Sequence, residues 1–323
     1  MSINPKLMFS NLKMNASVFL IFGCVFFSAC TQEVEEPSNN VNLPPDLAPD
    51  AVNIDHAEDG ELNGPYWQNL VFSRSQANEK WTESVTIIEH ASGPDATILE
   101  QDIGDYEAGD LLIVLTYFPE NKVGAGELSF IHSKDEGETW SDPVALSLEG
   151  TDGHIPVDPS ILQAEDGSLI LVYQDLRESN DQSDEHNFYL ALSEDGENFT
   201  FEAEIFSSPD FLIHADLIYF DDFWYLFIAT DEGDRMMRIS KSDDYLSFSE
   251  EHITDMPGIP GSMVMGDQLF VYGSDLSGTT INSSDDGISF EQVDHIQIGT
   301  SAPSPVLFED GSIGVVGTFH AEH

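Results

Sequence analysis

An eight-residue stretch, Ser133-Lys134-Asp135-Glu136-Gly137-Glu138-Thr139-Trp140, recurs in degraded form four more times and constrains the fold more than any other feature of the chain. Ser283, Asp285, Gly287 and Phe290 repeat its spacing, with Ser289 standing where Thr139 stands. Ser193, Asp195, Gly196 and Phe199 form a version one residue shorter, Ser242, Asp244 and Phe248 match it without the glycine, and Ser75 to Trp81 keeps only the serine and the aromatic. In such a unit the Asp accepts hydrogen bonds from turn backbone N–H groups, Gly supplies positive φ, and the aromatic fills a gap between neighbouring strands. The unit closes a tight β-hairpin.

The five aromatics fall roughly 40–60 residues apart, the period of a repeat architecture. Upstream of each motif stands an apolar run, a short turn and a second apolar run, as in Ile161-Leu162, Glu165-Asp166-Gly167 and Leu169 to Tyr173. The same order returns at Leu217 to Ile228 and at Met263 to Tyr272. Two inner strands, a connecting loop, a third strand, the motif turn and a fourth strand make a propeller blade. The last inner pair, Pro305 to Phe319, ends without a motif, whereas Leu70 to Ile88 supplies two outer strands before any inner pair. The sequence therefore predicts an all-β, five-bladed propeller over residues 64–323, closed by N- and C-terminal strands sharing one blade, which removes exposed sheet edges.

The Ser-x-Asp-x-Gly-x-Thr-Trp turn resembles the Asp-box of sialidases and related propellers. Val157-Asp158-Pro159-Ser160 and Gly93-Pro94-Asp95-Ala96 resemble the inner-strand openings of five-bladed glycoside hydrolases of the arabinanase and β-xylosidase type. The resemblance implies a carbohydrate-active site at the face where the first strands begin. Sialidases clamp a substrate carboxylate with three arginines, and this chain holds only Arg74, Arg177, Arg235 and Arg238, without an Arg-Ile-Pro signature. A neutral glycan or oligosaccharide is the expected partner.

Lys6 and Lys13 precede an apolar stretch from Ala16 to Phe27, and Phe27-Ser28-Ala29-Cys30 resembles a bacterial lipobox. Residues 1–29 read as a signal peptide, Cys30 as the lipidation site, and residues 30–63, acidic and poor in large apolar side chains, as a flexible tether. The expected product is an exported lipoprotein, anchored to a membrane of the cell envelope by its lipid alone. The other cysteine, Cys24, leaves with the leader, so the fold contains no disulfide. A formal net charge of −50 repels polyanions and excludes a nucleic-acid partner. The abundant carboxylates permit a structural calcium ion; no cofactor is required.

Functional groups belong at first-strand starts and second-strand ends, away from the motif turns. Aligned on the first strands, Asp95 and Asp158 share one position and Asp216 falls one residue further on, where the last two blades carry Ser262 and Ser304. Glycosidic cleavage needs two facing carboxyl groups, and crowded acids raise one another's pKa. By the resemblance, Asp95 is the base, Asp158 or Asp216 tunes the acid, and a Glu from another blade is the acid. Here blade four opens Gly258-Ile259-Pro260-Gly261-Ser262 without a Glu, leaving Glu178 or Glu232 as loop candidates. The expected substrate-binding set is His154, Asp175, Arg177, His214, Asp231, Glu232 and His320. The competing readings are a non-catalytic glycan- or protein-binding propeller, and a metal-dependent enzyme using His154, His214 or His320 as ligands.

Overall fold

The computed structural model describes residues 68–75, 81–118, 126–151, 153–178, 185–230, 236–249, 252–275, 278–296 and 301–320. The expected leader, Cys30 and the tether lie outside the described residues. In chain order the strands are β1 (Gln68–Ser75), β2 (Val85–Glu89), β3 (Ala91–Ile98), β4 (Leu111–Tyr117), β5 (Glu127–Ser133), β6 (Val144–Ala145) and β7 (Ser147–Glu149). They continue with β8 (Pro156–Gln163), β9 (Leu169–Asp175), β10 (His186–Ser193), β11 (Asn198–Ser208), β12 (Leu212–Phe220), β13 (Phe223–Thr230), β14 (Met236–Ser242) and β15 (His252–Pro257). The last six are β16 (Pro260–Met265), β17 (Gln268–Asp275), β18 (Gly278–Ser284), β19 (Glu291–Ile296), β20 (Ser301–Leu307) and β21 (Ile313–His320).

These strands form five sheets, β3 to β6, β8 to β11, β12 to β15, β16 to β19, and a closing blade in the order β2-β1-β21-β20. The predicted propeller and its shared blade are borne out. β1 runs antiparallel to β21 from Gln68 opposite His320 to Ser75 opposite Ile313, so both chain ends lock one sheet. One pairing was not expected: β7 leaves the first blade and adds to β11 in parallel, Asn198 opposite Ser147, strapping blade one to blade two.

Apolar residues sit between blades. The second strands of blades one and two are buried on both faces and read as continuous apolar runs, Leu111 to Leu115 in β4 and Leu169 to Tyr173 in β9. Five separate cores result, one at each blade junction, and each motif aromatic enters a different one. Phe199 is buried with Leu112, Phe130 and Leu171 between blades one and two. Trp140 meets Phe72 edge-on with centroids 5.6 Å apart, Phe290 meets Phe227 at 5.8 Å, Phe248 packs between blades two and three, and Trp81 between blades four and five.

The motif turns carry the expected bonds. The Asp135 carboxylate accepts from Thr139 N at 2.8 Å and Thr139 Oγ1 at 2.7 Å, while Gly137 N donates to Ser133 Oγ at 2.8 Å. Gly137 has φ +93°, and a Cβ there would stand 2.5 Å from the Phe72 ring, so both conformation and space require glycine. In blade four the copy is shifted by one residue. Ser284 and Asp286, not Ser283 and Asp285, make the turn, with Asp286 accepting from Ile288 N and Ser289 N. It is thus the short version already present at Ser193 and Asp195, and Asp285 instead accepts from Gln268 Nε2 at 2.7 Å.

Candidate functional site

The five first strands, β3, β8, β12, β16 and β20, contact one another in a closed ring around the axis. Four of them are irregular at their start. The ladder shifts between Ser92 and Asp95, between Val157 and Ser160, between Ile213 and Ala215, and between Ser301 and Ser304. Each shift places one residue in the left-handed region: Gly93 (φ 55°), Asp158 (φ 49°), His214 (φ 53°) and Ala302 (φ 48°). For a residue with a Cβ this costs on the order of 1–3 kcal/mol and persists only where surrounding structure enforces it. A bulge of this kind re-aims a side chain.

These bulges correct the predicted alignment. Asp158 is equivalent to Gly93, His214 and Ala302, whereas Asp95 is equivalent to Ser160, Asp216, Ser262 and Ser304, two residues further along. Pro94, Pro159 and Pro303, each directly after the bulged residue, are the signal in the sequence that marks this register. Aligning on the aspartates instead put Asp95 and Asp158 together.

The second of these layers is a buried polar belt joining blade to blade. Asp95 is 7% exposed; its Oδ1 accepts from Ser304 Oγ at 2.6 Å and its Oδ2 from Ile161 N at 2.7 Å. Ala96 N donates to Ser304 Oγ and Leu217 N to Ser160 Oγ. Ser262 Oγ donates to Asp216 Oδ2. Burial pushes the Asp95 carboxyl up despite these donors, and burial together with the nearby Asp95 charge raises Asp216 to about 7. Asp95 and Asp216, expected as catalytic residues, are both buried and bond neighbouring blades together.

Asp158 behaves otherwise. Its side chain is 30% exposed, and its Oδ1 lies 3.7 Å from Nδ1 of the buried His214. A Cβ on Gly93 would come within 2.9 Å of Asp158 Oδ1 and 3.6 Å of His214 Cε1. Three consecutive blades therefore converge at one spot, with glycine leaving room for the carboxylate.

Blade two also packs an aromatic group in which Tyr173 and Tyr189 are buried. His154 Nδ1 lies 3.2 Å from Tyr173 Oη, and its ring centroid is 4.4 Å from that of Tyr189. Tyr189 Oη donates to Glu178 at 3.0 Å; burial first, and then the Glu178 charge, push this phenol up to about 12. Tyr189 carries no signal in the sequence beyond its place in a third strand. Asp175 is fully buried and accepts from Ile155 N, Arg177 N and the Arg177 guanidinium, so it ties this edge down and holds Arg177. Asp231 and Glu232 lie outside the described residues, as does the side chain of His320.

The described arginines do not converge, and Arg235 lies outside the described residues. Arg74 pairs with Glu136 and Asp310 among the hairpin turns, Arg238 with Asp210 and Arg177 with Asp175. Among the described residues no group of three or more His, Cys, Asp or Glu side chains stands where it could hold a metal ion. His154 and His214 are spent on Tyr173 and Asp158, not on a common centre.

Neither a protein-family model nor a curated protein matches the sequence. Solved structures do. An N-acetylgalactosamine deacetylase from F. plautii, in complex with blood group B trisaccharide, is similar with a TM-score of 0.54 and 14% identity over 78% of this chain and 94% of that one. A family 117 glycoside hydrolase from the marine bacterium Zobellia galactanivorans has a TM-score of 0.53 and 12% identity over 80% and 92%. The GH43_1 enzyme from Xanthomonas citri complexed with xylotriose has a TM-score of 0.50 and 11% identity over 71% and 86%. The chain is a five-bladed β-propeller resembling those of glycoside hydrolases.

Proposed function

We propose that this propeller acts on a neutral glycan at the face where its first strands begin, with Asp158 as the working carboxylate and His214 as its partner. One observation carries the reading. Of the three acids the first strands supply, only Asp158 reaches solvent, and it does so from a left-handed bulge beside an imidazole. A backbone strain of this kind, enforced next to a titratable pair, is a device for holding functional groups. A carboxylate beside an imidazole orients the ring. The similar N-acetylgalactosamine deacetylase complexed with blood group B trisaccharide and the GH43_1 enzyme complexed with xylotriose support the substrate class.

Hydrolysis through paired carboxylates needs a second carboxyl group at the mouth. Glu178 and Glu232 are the loop candidates for it; Glu178 accepts from Tyr189 Oη at 3.0 Å, and Glu232 lies outside the described residues. A second reading, glycan binding without catalysis, is favoured by blade one: it gives the mouth Gly93 and buries Asp95 in the belt.

A panel of neutral oligosaccharides assayed for both turnover and binding separates the two. For a hydrolase, Asp158→Asn should lower turnover by about 100-fold or more at an unchanged thermal midpoint, while Asp95→Asn should lower the midpoint. Saturable binding with no turnover in the wild type would establish the binding reading, and neither binding nor turnover on a broad panel would sink both.

A further inference from the structure

We propose that a cavity on the propeller axis, on the face of the hairpin turns, binds a small organic cation. The cavity, of about 680 Å³, has walls from the far ends of all five first strands. Its inner end is the polar belt, where Ser262 lines it and donates to Asp216. That volume suits a small molecule.

Two properties of its lining select the ligand. The first is a corner of inclined aromatic rings. Tyr219 and Trp224 stand opposite each other in the β12–β13 ladder with centroids 5.0 Å apart at 52°, and Tyr245, from the motif turn of blade three, meets Trp224 at 5.0 Å and 74°. Rings set at angles present several π faces to one space, the arrangement that attracts a cationic group. Tyr219 is 40% exposed although large and aromatic.

The second property is charge. Glu100, Glu165 and Asp166 line the cavity, and no Lys or Arg is among its described lining residues. Exposed acids in the neighbouring hairpin turns, Asp221 and Asp222 after β12 and Asp267 after β16, extend the same sign around the mouth. Carboxylates of one sign over low-dielectric walls focus a field that concentrates cations. A neutral sugar draws on the rings alone; an organic ammonium draws on both rings and field. This site does not depend on the chemistry of the Asp158 face, and the two fail separately.

The test is a titration of the full chain with choline, observed by saturation-transfer NMR at low salt, beside its neutral carbon isostere 3,3-dimethylbutan-1-ol. Choline should saturate and bind about tenfold tighter than the isostere. Tyr219→Ala, a surface truncation, and Glu165→Gln, which leaves shape intact, should each weaken choline several-fold at unchanged thermal midpoint. Added salt should weaken it too. Equal affinity for choline and isostere, indifference to both substitutions, or no saturable choline binding would overturn the proposal.

Discussion

Asp95 and Asp158 lie in adjacent blades, yet a two-residue difference along their strands gives one carboxylate to the scaffold and the other to the mouth. Burial removes Asp95 and Asp216 from water and surrounds them with hydroxyl and backbone donors, and the proximity of the two acids makes full ionisation costly. This has a consequence for stability. A folded-state pKa near 7 for Asp216 lies above the unfolded value of about 4, so between these pH values the native state binds more protons than the unfolded chain. Stability should then fall as pH rises through that window and level off above it. Urea unfolding between pH 4.5 and 8 should show this decline, on the order of a few kcal/mol, and Asp216→Asn should flatten most of it. A wild-type curve level across the window would refute the coupling. The acids themselves were legible in the sequence as a cluster at one end of the blades. Their division of labour was not, because the bulge that reverses a side chain's direction is one residue of backbone geometry.

At the scale of the element, the motif turn works as a plug on a hinge of hydrogen bonds. Asp195 accepts from Asn198 N, Asn198 Nδ2 and Glu197 N, and Asp286 from Ser289 N and Ile288 N. These donors hold both carboxyls down near 2, although they are exposed. Their contribution is present above the unfolded value of about 4 and is lost as pH falls toward 2, a window separate from that of Asp216. The aromatic at the end of the turn carries the larger energy. Phe199 is completely buried, so Phe199→Ala should cost about 3–5 kcal/mol, read as a fall in the urea midpoint; a change under 1 kcal/mol would show that the junction collapses to fill the cavity. Sequence spacing located all five aromatics. It misplaced the register in blade four because Ser283-Ser284 and Asp285-Asp286 are doublets, and spacing alone cannot say which member makes the turn.

For the whole molecule, stability is distributed over five junctions instead of one centre, and ring closure makes each depend on the rest. The closing sheet depends on β1, whose eight residues pair with β21 along its full length. A chain starting at residue 91 would lack β1 and β2 and leave the long edge of β21 open. It should lose the single cooperative unfolding transition and self-associate, seen by light scattering; a monomer with wild-type cooperativity would mean that closure contributes little. The parallel strap of β7 on β11 was invisible beforehand, since three residues of Ser147-Leu148-Glu149 have no strand signal of their own and pair only because blade two is already there.

The sequence by itself determined the blade, the number of blades, the shared closing sheet and the face on which acids gather. These follow from turn chemistry and apolar runs that repeat along the chain, and local signals repeated five times reinforce one another. Only the tertiary structure decided which carboxylate meets solvent, which histidine stands beside it and where aromatic rings from different turns enclose a cavity. Burial and side-chain direction at the axis depend on four neighbouring blades at once, and on a bulge of one residue in four of the five strands that form the ring.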